Sequence, residues 1–127
     1  MEFKLDLPES CPPLEATSCE INPVYRLVKN ETLVEEDMLS HIELSKPFPP
    51  AMLCAAHAIS FNRSKEGCAK LRKKILKFRN RKIKEFKILE SYGVNDSYLN
   101  VEHINLWVYK GIELYKEMEG GNKDDEL

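Results

Sequence analysis

The chain has 127 residues, 43% apolar and 31% charged, enough for one hydrophobic core and too little for two. That composition excludes a disordered chain, and no apolar run nears the ~20 residues a membrane span needs. The net charge of −2 hides an asymmetry: residues 1–62 carry 4 basic and 10 acidic side chains, 63–87 carry 12 and 2, and 88–127 carry 3 and 9.

Residues 1–22 hold Pro8, Pro12 and Pro13 and no hydrophobic period, so an extended or partly ordered arm is expected. Their acidic start lacks the features of a secretory signal. Val24-Tyr25-Arg26-Leu27-Val28 is short, β-branched and aromatic, which predicts a strand. Thr32-Leu33-Val34-Glu35 has the form of a capping box. With Met38, Leu39 and Ile42 behind it, the spacing predicts an amphipathic helix over 32–44, ended by Pro47, Pro49 and Pro50. The alanines after Pro50 suit a helix, whereas Ala58-Ile59-Ser60-Phe61 suits a buried strand; a strand over 54–61 is expected as the partner of 24–28. Asn62 or Ser64 caps a helix over 63–78 with Cys68, Leu71, Ile75 and Phe78 as its stripe.

Lys82 to Leu89 reads as a strand, 90–102 as a polar connection, and His103 to Val108 as a cleanly alternating strand. Residues 112–118 suit a strand or a short helix, and 119–127 an acidic disordered tail. The sum is one α+β domain over 23–118. It has a small mixed sheet of three to five strands and two main helices, in the order β-α-β-α-β-β.

Cys11, Cys19, Cys54 and Cys68 include no C-x-x-C pair. Without a signal segment, and with apolar residues enough for a core, they are expected as free thiols of a cytoplasmic protein. Cys54 and His57 have ligand-like spacing, but a closed site needs four placed ligands, so no metal is expected. Asp124-Asp125-Glu126-Leu127 has the form of an endoplasmic-reticulum retention tail, an address that acts only in the lumen; it reads as a solvated acidic end.

No Walker loop, G-x-G-x-x-G, G-x-S-x-G or H-E-x-x-H is present. Lys70, Lys73, Lys74, Lys77, Arg79, Arg81, Lys82 and Lys84 gather at one helix end and the turn after it. A helix terminus favours cations, but this cluster exceeds what the dipole needs, and such a patch steers anions. The first functional reading is therefore a non-enzymatic binding module without cofactor, its 63–87 surface contacting nucleic acid or an acidic protein. Phe78 and Phe86 are the only aromatics there, which argues against base stacking.

Arg26 inside an apolar strand, Ser60 between Ile59 and Phe61, and His103 at a strand start supply the second reading. The runs Val24 to Val28, Glu36-Asp37-Met38-Leu39-Ser40-His41 and Ala58 to Phe61, with His103 and Trp107, resemble a group of small uncharacterised bacterial proteins. Met38 stands where that group has an aromatic and Ala58 where it has glycine. The placement of Arg26 and Ser60 is also similar to ADP-ribosyltransferase-like folds. That likeness implies NAD as the ligand, with Arg26 on the phosphates and Ser60 at the nicotinamide ribose. A late glutamate in E-x-E or Q-x-E context is lacking, since Glu85 and Glu102 do not supply it. His103 would take its place.

Overall fold

The computed structural model describes residues 2–99 and 102–119. Its five strands are β1 (Ile21–Val28), β2 (Ile59–Asn62), β3 (Lys82–Ile88), β4 (Gly93–Asn95) and β5 (His103–Val108). The helices are α1 (Leu53–Ala56), α2 (Lys65–Lys74) and α3 (Leu114–Met118). The sheet order is β3-β1-β2-β5-β4. Every pairing is antiparallel, so the α+β class stands while the mixed sheet does not. The chain still crosses over: the connection holding α2 carries it from β2 past β1 to β3, and the next carries it from β3 to β4 at the opposite edge.

β1 and β5 form where their alternation predicts. In β1 the register against β3 shifts between Ile21 and Val24, where Pro23 has no N–H to give the ladder. Val24, Val28, Ile59, Phe61, Phe86, Ile88, Ile104 and Leu106 make the core. Phe61 meets Phe86 edge-on with ring centres 6.5 Å apart. Each such large apolar side chain contributes roughly 1.5–3 kcal/mol by leaving water.

The expected helix over 32–44 is not formed. The buried Asp37 carboxylate instead accepts the Lys29 N–H at 3.0 Å and the Val34 N–H at 2.9 Å. These bonds fold residues Glu35–Met38 into one 3₁₀ turn, and Leu39 leaves it in extended conformation. A capping arrangement does occur eight residues later than predicted: Glu43 accepts from both the backbone N–H and the hydroxyl of Ser40, and the Glu43 N–H donates to Ser40 Oγ. Leu33 and Met38 enter the core that α3 covers with Leu114 and Met118.

The strand expected over 54–61 divides into α1 and the shorter β2. α2 is capped by Ser64, whose Oγ accepts the Gly67 N–H at 3.0 Å, but it stops at Lys74 rather than 78. Ile75 is extended and a separate turn, Leu76–Phe78, follows. β4 lies inside the expected connection. It sits so close to β5 that a Cβ on Gly93 would stand 2.0 Å from the Trp107 carbonyl oxygen. The last element, open between strand and helix in the sequence, is α3.

The cysteines are not all free: Cys11 and Cys54 form a disulfide, leaving Cys19 and Cys68 as thiols. The thiol argument for a cytoplasmic location falls with that bond. It ties the amino-terminal segment to α1, whose Cys54 carbonyl also accepts from Trp107 Nε1 at 3.1 Å. Phe3 bridges to Tyr109 just beyond β5, and Thr17 bridges to Asn95, where it covers part of the β4 edge. The acidic tail lies, Glu119 apart, outside the described residues. No helix is long and apolar enough to cross a membrane among the described residues.

Candidate functional site

β1 and β2 share one register pair, Tyr25 with Asn62, whereas β2 and β5 share four. The Arg26 side chain spans the gap this leaves. Its Nε donates to the Asp37 carbonyl at 2.8 Å, and its Nη1 to the Ser60 carbonyl at 2.7 Å and to Ser60 Oγ at 3.4 Å. The guanidinium carbon also lies 5.9 Å from the centre of the Phe61 ring.

All three acceptors are neutral. Nη2 has no protein partner among the described residues and is not sealed from solvent. Burial pushes the Arg26 pKa down to about 10, against the opposing pull of Asp37, and the charge of Arg81 pushes it the same way as burial. A fixed, partly desolvated guanidinium with one open donor is an anion receptor in waiting.

Arg26 lines a cavity of about 540 Å³, within the ~300–1,000 Å³ typical of small-molecule sites. The sheet supplies its floor through Arg26, Ser60 and Asn62, with Ala58 just ahead of β2. One wall comes from Glu36, Leu39, His41, Leu44 and Lys46, the other from Leu71, Ile75, Lys77, Phe78 and Arg81; Leu27, Lys29 and Asp37 complete the lining. The early end of α2 matters here: Ile75 and Phe78, on the predicted helical stripe, now face the cavity from beyond the helix. Arg72 Nη1 donates to the Arg81 carbonyl at 3.1 Å and fastens this segment back onto α2.

Five cations line the cavity against two carboxylates, an excess of three. Both carboxylates are engaged: Glu36 pairs with Lys29 at 3.9 Å, and Asp37 holds backbone N–H groups. Among the described residues, Arg26, Lys46, Lys77 and Arg81 have no carboxylate within ion-pair distance. Lys77 and Arg81 lie over the Phe78 ring, 5.4 and 5.7 Å from its centre. Burial and then the neighbouring charges of Lys77, Arg81, Arg26 and Lys29 lower the Lys46 pKa. His41 is lowered likewise, by burial and then by Lys46, Lys77 and Arg26.

The residues singled out in the sequence are only partly gathered. Arg26 and Ser60 meet, as the NAD reading requires. His103 stands opposite Asn62 on β5 and does not line the cavity; its pKa is lowered chiefly by burial. Glu85 accepts from the Tyr25 hydroxyl at 3.4 Å and also lies outside the lining. Of the basic cluster, Lys77 and Arg81 line the cavity, while Lys70, Lys73, Lys74 and Arg79 are exposed outside it. Lys82 pairs with Glu31 at 3.9 Å, and Lys84 donates to the Glu31 carbonyl. The sequence reading missed Lys29, His41 and Lys46. No local signal brings them together, because the wall carrying His41 and Lys46 opposite Lys77 and Arg81 exists only once the 32–44 segment declines to be a helix.

Compared with protein-family models, curated proteins and solved structures, the chain matches none. The functional reading rests on the residues and their geometry.

Proposed function

We propose that this chain is a non-enzymatic binding module that holds an acidic partner through the basic cavity and the adjoining 63–87 surface, with nucleic acid as the partner. The observation that carries the reading is the convergence of Arg26, Lys46, Lys77 and Arg81, none with a carboxylate partner among the described residues, on one concave site. They approach from the floor and both walls. That arrangement suits the several oxygens of a tetrahedral phosphate better than a planar carboxylate, and so favours nucleic acid over an acidic protein. Lys70, Lys73 and Lys74, exposed along α2, extend the positive field beyond the cavity.

Fluorescence anisotropy with a labelled oligonucleotide over a salt series tests this. Binding should weaken steeply as salt rises. Lys77→Glu with Arg81→Glu should cost at least about tenfold and flatten the salt slope by about two. Binding to polyglutamate as tight as to the oligonucleotide would move the reading to an acidic protein, and binding to neither would remove it.

The Arg26–Ser60 contact favours one second reading, an NAD site of the ADP-ribosyltransferase-like kind. Calorimetric titration with NAD should then saturate, and Arg26→Lys should abolish the signal.

A further inference from the structure

We infer that the cavity takes a terminal phosphate monoester, on a free nucleotide or at a strand end, in preference to an internal phosphodiester; this rests on the phosphate reading above. A monoester carries about −1.5 to −2 charges at neutral pH and presents three oxygens, whereas an internal diester carries −1 and presents two. Four cations without carboxylate partners match the monoester in both charge and donor directions.

One of these donors is the least adaptable. Arg26 is held by the Asp37 and Ser60 carbonyls, so its guanidinium keeps a fixed place in the lining. Lys46, Lys77 and Arg81 come from the walls and can close on that group. Leu39, Leu44, Leu71 and Ile75, also in the lining, offer an apolar surface to one organic body behind the phosphate. An internal diester would have to carry two chain continuations past those same walls. A monoester brings only one.

The test uses the full chain and one oligonucleotide sequence bearing a 5′-phosphate, a 3′-phosphate or neither, with AMP and adenosine as competitors in the same anisotropy assay. At least one phosphorylated form should bind about tenfold or more tighter than the hydroxyl form. AMP should compete and adenosine should not. Arg26→Met should erase the difference between the ends; Lys46→Met, on the wall and outside the sheet, should shrink it severalfold in a protein whose circular dichroism is unchanged.

Equal, salt-dependent binding of all three oligonucleotides would overturn the inference and leave the nucleic-acid reading intact. Saturable AMP binding with no oligonucleotide binding would do the reverse, assigning the monoester to a small molecule. Absence of binding by every probe would overturn both.

Discussion

Breaking the Cys11–Cys54 bond, by reductant or by Cys11→Ser, probes how the amino-terminal segment contributes to stability. The bond joins residues 43 apart in sequence, and a loop of that length implies about 4 kcal/mol of lost unfolded-chain entropy; measured bonds of this kind deliver ~2–4 kcal/mol. With an unfolding entropy of roughly 2.1 cal/mol/K per residue, a chain of 127 residues changes by about 0.27 kcal/mol for each degree. The melting temperature should therefore fall by about 7–15 °C.

The folded state should change little. The Lys4 N–H still donates to the Val108 carbonyl, and Thr17 and Asn95 still exchange both backbone bonds. Far-ultraviolet circular dichroism at 20 °C should thus be the same with and without reductant, while the thermal transition moves. Thiol titration in denaturant without reductant should count the two thiols of Cys19 and Cys68. A count of four, or a melting temperature indifferent to reductant, would refute the reasoning.

Asp37→Asn replaces one of two carboxylate oxygens that accept backbone N–H groups by a donor, which should cost about 2–3 kcal/mol in urea unfolding; a loss below ~0.5 kcal/mol would show that the 3₁₀ turn does not depend on it. His41 and His103 both have pKa values lowered chiefly by burial. The unfolded chain therefore binds more protons as pH falls: stability is complete above about pH 6.5, and is lost as pH drops through that value towards the folded ones. Melting curves from pH 7.5 to 5 should show the decline, and His103→Gln should flatten it. Gly93→Ala puts a methyl carbon against the Trp107 backbone and should destabilise by about 1–3 kcal/mol or more, with faster hydrogen exchange along β4 and β5; unaltered exchange there would count against the β4–β5 pairing.

Much of the domain was legible because short-range chemistry decides it. The alternation of Val24 to Val28 and of His103 to Val108 produces β1 and β5, and Ser64 starts α2, since pleat periodicity and a satisfied cap depend on few neighbours. Arg26 and Ser60 were readable as a pair for a similar reason: each interrupts an apolar run, and burying a guanidinium demands acceptors. The 32–44 segment shows where this stops. Its capping box and stripe favoured a helix, yet one buried carboxylate at Asp37, holding N–H groups of Lys29 and Val34, outweighs that propensity. β4 is three residues long, too short to carry a period, and exists because Gly93 admits the Trp107 backbone. The Cys11–Cys54 pairing and the meeting of Lys46 with Arg26, Lys77 and Arg81 have no sequence signal at all. The sequence determined the α+β class, the best strands, the start of α2 and an excess of positive charge near residues 63–87. Only the tertiary structure decided that part of this charge lines a cavity, because charge convergence depends on chain reversals set by long-range hydrogen bonds.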